Sequence, residues 1–279
     1  MDAFRRWWLF FRRASFLPDP QSKSFVQRVH EGSATSAHQV SDKLKELVFE
    51  EVMPTIAAGF VAYRRNQLKI TTETSETLSE IYRASLSLLY KLLFLLSAEA
   101  RSLLPMENPD YRNNSLTAMA ELAAEQIDLK RKLSEAAYAT PRYDALLALF
   151  RRVDQGDPNL GIPHYNGGLF SPHNPENKFL ESHKLSDRAV AQAVDVLVRD
   201  QGQPVDYAYI SVRNLGAIYE GLLENKLVIT PISVGDESGV RVDLVNDKGE
   251  RKATGSYYTP DYIVEYIVEH TLDPVLEQR

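Results

Sequence analysis

The chain of 279 residues contains no cysteine. Disulfides, cysteine-based zinc sites and thiol nucleophiles are thereby excluded, and the composition fits a reducing cytoplasm. Histidine is also sparse: there are six, and His164, His173 and His183 lie in one stretch without helical i, i+4 spacing. No metal ligand set is expected from them. Positive charge is in deficit, with 32 Lys and Arg against 38 Asp and Glu and a formal net charge of -6. That balance opposes a chain whose whole body binds nucleic acid and leaves room only for local basic faces. Lys91 interrupts the longest apolar run, which falls short of the roughly 20 residues of a membrane span. A buried helix and no membrane partner are therefore expected. Internal repeats and low-complexity tracts are absent too.

What is present suits a folded protein. With 44% hydrophobic and 25% charged residues, the chain can bury a sizeable core as one large domain or two. The first two thirds carry helical spacing. Ser36 and Gln39 form a capping-box pattern ahead of Val40, Leu44, Leu47, Val48 and Val52, and Pro54 is expected to kink or restart that helix. Thr77 with Glu80 predicts a second start, running through Leu86, Leu89, Leu93 and Leu96 to a stop at Pro105. Asn108-Pro109-Asp110-Tyr111 reads as a helix-ending turn. Ser115 opens a helix through Leu116, Met119, Ala123, Ile127 and Leu133, Pro141 one that ends near Val153, and Ser186 one with Val190, Val194, Leu197 and Val198 on one side.

The stretch from Gly156 to Asn177 gathers glycine, proline, asparagine and histidine and predicts a long loop, either an interdomain latch or a substrate contact. Within it, Gly167 and Gly168 suggest a tight turn or close backbone approach, and Leu169 and Phe170 anchors into the core. A helix follows from about Val212 to Glu224, with Leu215, Ile218, Leu222 and Leu223 on its apolar face. Tyr219 and Glu220 on it read as packing and charge pairing, not catalysis. The period then changes near Leu227. Leu227 to Ser233 and Val240 to Asn246 read as strands, followed by an Asn246-Asp247-Lys248-Gly249 turn.

Two segments carry arginine or lysine beside candidate contacts. Phe4-Arg5-Arg6-Trp7-Trp8-Leu9-Phe10-Phe11-Arg12-Arg13 fits a short amphipathic helix docked through its rings, with a nucleic-acid contact as the alternative. Lys130-Arg131-Lys132 is either a solvated helix face or a phosphate contact. Near the end, Gly255-Ser256-Tyr257-Tyr258-Thr259-Pro260-Asp261 passes from a glycine-led strand into a capped helix, with Thr259 at the N-cap, Pro260 at the first helical position and Asp261 in the first turn. Such a start presents free backbone N–H groups that suit a carboxylate or phosphate, and equally serves a capped surface helix.

This last run resembles motif X of amino-methylating DNA methyltransferases, specifically adenine-N6 enzymes in which it precedes the cofactor-binding strand. Three upstream segments extend the resemblance: Phe94-Leu95-Leu96-Ser97-Ala98-Glu99-Ala100-Arg101, Tyr165-Asn166-Gly167-Gly168-Leu169-Phe170 and Leu215-Gly216-Ala217-Ile218-Tyr219-Glu220-Gly221-Leu222-Leu223-Glu224. They are similar to the helical region of type IIG-like single-chain restriction-modification enzymes and their phage-defence relatives. The resemblance implies S-adenosylmethionine as methyl donor and double-stranded DNA as partner of the complete enzyme. It places Gly255, Tyr258, Thr259 and Pro260 at the cofactor edge.

The family's Asn-Pro-Pro-aromatic loop, which clamps a flipped adenine, does not occur, nor does the glycine-rich turn that holds the donor, since the sequence stops at Arg279. No catalytic residue carries over, and the segment alone is expected to be inactive and to bind DNA weakly. Glu50-Glu51 and Asp42-Lys43 lie on a helical pattern without the strand context of a nuclease site. The expected fold is mainly α: a multi-helix connector over 1–225, then over 226–279 a small β-hairpin and the first helix of an incomplete α/β methyltransferase domain. A helical scaffold or protein-interaction module without cofactor is the competing reading.

Overall fold

The computed structural model describes residues 3–18, 23–29, 42–129, 139–165, 167–200, 202–231, 240–246, 259, 261–272 and 275–276. Its helices are α1 (Ala3–Phe11), α2 (Met53–Asn66), α3 (Ser75–Ala100), α4 (Leu116–Asp128), α5 (Pro141–Gln155), α6 (Pro175–Ser182), α7 (Asp187–Val198), α8 (Val212–Leu222) and α9 (Asp261–Thr271). Two antiparallel two-stranded sheets accompany them: β1 (Arg199–Asp200) with β2 (Gln203–Pro204), and β3 (Asn225–Pro231) with β4 (Val240–Asn246). The mainly helical architecture with a small hairpin is thus the one expected from the residue periodicity.

Helix α3 is the centre. Its 26 residues include Ile81, Leu88, Leu89, Leu92 and Leu95, all essentially excluded from solvent. It packs against α2, α4, α6 and β3, while α7 packs against α2, α4 and α5. By length and apolar content α3 could cross a bilayer, yet 83% of its most apolar window is buried inside the protein. Neighbouring side chains, not lipid, satisfy its apolar surface.

The hairpin is built on alternation. Leu227 faces Leu244 and Ile229 faces Val242 across the register, so one face is apolar; Arg241 and Asp243 alternate to the other. Leu227 and Val242 are each only 4% exposed and belong to the same core as the helices. The change of period near Leu227 is therefore a change of secondary structure within continuous packing.

Several helix ends differ from the sequence reading. Residues 42–47 are helical and run into a π-helical turn, Val48–Val52, before α2 restarts with Pro54 in its first turn. Proline has no N–H to give the preceding turn, and Met53 instead donates to Val48 five residues back. Helix α3 is capped by Thr74, whose hydroxyl accepts from the Thr77 amide, so Thr77 is the third helical residue and not the cap. It ends at Ala100, before Pro105, because Ser102 adopts φ 54° and the Leu103 amide reaches back to the Ala98 carbonyl at 2.9 Å. That reverse bond closes the last carbonyls of the helix.

Asn108 starts a single helical turn, Pro109–Arg112, by accepting from the Asp110 amide; it does not end a helix. Ser115 and Ser186 cap α4 and α7 as expected. Leu133 and the Ser36–Gln39 box lie outside the described residues, as does the 246–249 turn beyond Asn246.

Candidate functional site

Three of the segments singled out in the sequence meet on α3. Phe94 packs edge-on against Phe170 with ring centroids 5.3 Å apart, and against Tyr165 at 5.8 Å. The Tyr165 hydroxyl donates to the Leu103 carbonyl at 2.6 Å. On another part of α3 the Tyr82 hydroxyl donates to the Leu222 carbonyl, and Tyr90 and Tyr219 lie 5.1 Å apart. Residues separated by more than a hundred positions thus share one helix as their common support.

The loop Tyr165 to Phe170 is held by a buried cation. Lys91, 2% exposed, donates to the Leu169 carbonyl at 2.5 Å, to Asn177 Oδ1 at 2.5 Å and to Ser87 Oγ at 3.1 Å. The Phe150 and Phe170 rings lie 5.8 and 5.4 Å from its nitrogen. Asn177 completes the tie, its Nδ2 donating to the carbonyls of Leu169 and Ser171. Burial pushes the Lys91 ammonium down to about 8, against the upward pull of Glu176 and Asp154. A cavity of about 380 Å³ opens beside it, walled by Phe150 and Phe170 and edged by Arg151, Asp154 and Glu181. All three ammonium protons are committed to protein acceptors, so Lys91 acts as an anchor and offers neither a lone pair nor a free donor to a ligand.

A second buried charge organises α4. Glu99, 4% exposed, accepts from the Tyr111 hydroxyl at 2.8 Å, from the amides of Leu116 and Thr117 at 2.9 Å each, and from the Thr117 hydroxyl at 2.6 Å. A carboxylate at the positive end of a helix is stabilised there by the unpaired N–H groups and the helix dipole. Burial first, and the Glu99 carboxylate next, push the Tyr111 phenol above its ordinary range, which keeps it a donor. Helix α5 repeats the device: Asp187 Oδ1 accepts from the Arg142 amide at 2.9 Å. The N-termini of α4 and α5 are therefore filled by the protein's own carboxylates.

Of the anchors expected in the 156–177 loop, Phe170 is buried and Leu169 half-buried. Gly167 and Gly168 need no glycine: neither has a positive φ, and a Cβ at either would meet nothing within 4 Å. The close approach lies at Gly156, with φ +75° and the His164 amide nitrogen 3.1 Å from a built Cβ. His183 stacks on Phe179 at 3.9 Å, and its Nε2 accepts a hydrogen bond from Arg64 Nη1 at 3.3 Å. No group of three or more metal-ligating side chains occurs among the described residues. Glu50 and Glu51 are both exposed on the π-helical turn.

The proposed cofactor edge is described in part. Thr259 is exposed two residues ahead of Asp261, where the described part of α9 begins; the sequence reading starts this helix at Pro260, which lies outside the described residues. Gly255, Tyr258 and Pro260 lie outside the described residues, as do Lys130, Arg131 and Lys132. The N-terminal segment does form a helix, and one of its rings, Phe10, packs edge-on against Phe25 at 5.6 Å. Trp7, Trp8 and Phe11 are 59%, 51% and 62% exposed, with Trp7 packed on Phe11 at 5.4 Å.

Comparison with known proteins gives one informative match. Over 123 residues, 42% of this chain, the sequence is 26% identical to a Methanocaldococcus jannaschii protein provisionally named a type II restriction enzyme and methyltransferase. The matched region is 9% of that protein's length, so the match spans only a small part of the relative. No family model and no solved structure matches the chain.

Proposed function

We propose that this chain is the helical connector and the beginning of the methyltransferase domain of a site-specific DNA adenine-N6 methyltransferase, acting in the cytoplasm within a restriction-modification or phage-defence system. Residues 1–225 join an effector region to the methyltransferase, and residues 226–279 open the methyltransferase domain. In the complete enzyme Gly255, Tyr258, Thr259 and Pro260 border S-adenosylmethionine, and double-stranded DNA is the substrate.

The observation that carries this reading is the match to a protein named both restriction enzyme and methyltransferase. The convergence of three sequence segments on α3 supports it, because a connector must hold its two ends at a fixed separation. Buried charge at Lys91 and Glu99 gives the unit a defined internal geometry. On this reading the segment by itself is inactive, because its sequence holds neither an Asn-Pro-Pro-aromatic run nor a glycine-rich donor turn.

The test uses labelled S-adenosylmethionine and DNA. The complete parent protein should place label on N6 of adenine, while residues 1–279 alone should transfer none and bind the donor weakly. Label on cytosine, or transfer by the 279-residue chain, overturns the assignment.

A further inference from the structure

The connector from α6 to α7 is seated on α2 by two contacts. Leu185, 1% exposed, lies so close over Gly59 that a Cβ built there would stand 2.6 Å from its side chain. Further along α2, Arg64 Nη1 donates to His183 Nε2 at 3.3 Å. A guanidinium has no lone pair to offer and keeps its protons, so Nε2 is the acceptor and the ring is neutral. The other ring nitrogen agrees. Nδ1 lies 2.9 Å from Ser182 Oγ and 3.2 Å from the Phe179 carbonyl, and the serine hydroxyl directs its one proton to the carbonyls of Lys178 and Phe179. Nδ1 therefore carries the N–H, and one tautomer is selected.

Neither partner is free to turn away. The imidazole lies flat on Phe179 at an interplanar angle of 1° and tilts against Tyr63 at 5.9 Å, which fixes the direction of Nε2. Arg64 Nε is bonded to both oxygens of Glu73 at 2.9 and 3.0 Å, with the two side chains only 12% and 5% exposed. A proton on Nε2 would replace an acceptor by a second positive donor aimed at a held guanidinium. The groups that face the ring are Tyr63 and Arg64 of α2, Glu73 ahead of α3, and Glu80 of α3; neighbouring Lys184 is paired with Asp144 at 2.7 Å. Burial, and after it the Arg64 charge, oppose the imidazolium, while the bond to Phe179 and the two glutamates favour it. The balance holds the ring below its ordinary value of 6.5.

We propose that His183 is a proton-operated latch: as a neutral ring it ties the end of α6 to α2 through Arg64, and as an imidazolium it lets that end go. Lys178, Leu180 and Glu181 of α6 wall the cavity of about 380 Å³ beside Lys91, and Asn177 of the same helix holds Lys91 itself. Acid thus loosens one wall of that cavity. The stabilisation supplied by the neutral ring is complete above 6.5 and is lost as pH falls through the lower value of the folded ring, because between the two the unfolded chain holds more protons.

NMR on the full 279-residue chain tests this, with the histidine rings assigned through the backbone. The His183 ring should titrate below 6.5. In His183→Gln the side-chain carbonyl can still accept from Arg64 but takes up no proton. From about pH 7 to 5, hydrogen exchange at the His183 amide, bonded to the Phe179 carbonyl at 2.9 Å, should quicken in wild type relative to His183→Gln at the same pH. The ratio should grow by up to about tenfold for each pH step of one, the ceiling for a single proton. Amides in the middle of α3 should exchange equally in both proteins. The ring titration and the contrast between α6 and α3 amides are read in wild type alone, so the test stands even if the glutamine variant does not fold. A ring that titrates at or above 6.5 overturns the proposal. So does a His183 amide whose protection changes alike in both proteins, or acid opening in which α3 and α6 exchange together.

Discussion

Lys91 Nζ donates to Asn177 Oδ1 at 2.5 Å across a separation of 86 residues, joining the middle of α3 to the first turns of α6. The two share the Leu169 carbonyl as an acceptor, so the loop before α6 is fixed by side chains from two helices. A buried polar tie of this kind contributes less through its net energy than through the cost of leaving any member unpaired.

Lys91→Met should therefore destabilise the chain by about 2–4 kcal/mol, since Asn177 Oδ1 and the Leu169 carbonyl lose their cation while the methionine fills most of the space. Urea denaturation measures this. The same variant should expose the 156–174 segment to protease before the rest of the chain, because its anchor is gone. Unchanged stability and cleavage would show that the tie is incidental.

The pH dependence has a definite sign. The Lys91 ammonium titrates at about 8 in the folded chain against an ordinary value of 10.5, so between those values the unfolded chain holds more protons and stability rises with pH. Below pH 8 the contribution of this group is flat and unfavourable. Relative to Lys91→Met, the wild type should gain stability from pH 8 to 10.5, with a slope of about 1.4 kcal/mol for each pH step of one. A difference between the two proteins that stays constant over that window would contradict a desolvated ammonium.

Glu99→Gln tests the buried cap on α4. Glutamine keeps the shape but presents an amide to the Thr117 side chain and backbone, where the carboxylate Oε2 now accepts two hydrogen bonds. The expected loss is about 2–3 kcal/mol, from weaker charge-assisted bonds and a misdirected donor. Far-UV circular dichroism should show fraying at α4 ahead of global melting. A variant as stable as wild type would remove Glu99 from the account of how α4 is positioned.

The sequence made the helices readable wherever apolar spacing and a local cap coincided, as at Ser115 and Ser186, and it located the hairpin through the alternation of Val240 to Asn246. The ends of α3 were misplaced for local reasons. Two threonines three residues apart both suit an N-cap, and only the extended backbone of Thr74 identifies it as the cap. A serine at positive φ gives no compositional sign that a helix stops there. The partners of Lys91 and Glu99 could not be read at all, because Leu169 and Asn177 lie 78 and 86 residues from Lys91. One signal existed: a lysine and a glutamate inside the largely apolar later half of a helix need buried partners. Only the fold says which.

Ser102 offers a substitution that should stabilise. Its φ of 54° is unfavourable for a side chain and natural for glycine, and the residue is exposed. Ser102→Gly should raise stability by roughly 0.5–1 kcal/mol without altering the contacts of α3. A lower denaturation midpoint would place the serine side chain in an interaction of its own.

Thr259 separates the cap from the cofactor edge. It is exposed two residues ahead of Asp261, where α9 begins, so substitutions there can test a cap and a ligand contact separately. In the complete parent enzyme, Thr259→Ala should cost roughly 0.5–2 kcal/mol if the side chain caps the helix, and Thr259→Ser should restore most of it. If the helix start also borders the methyl donor, Thr259→Ala should in addition raise the S-adenosylmethionine dissociation constant while DNA affinity stays near wild type. Calorimetric titration of the two variants distinguishes these outcomes. An alanine variant that melts earlier yet binds the donor as tightly as wild type would leave Thr259 a cap and remove it from the proposed pocket.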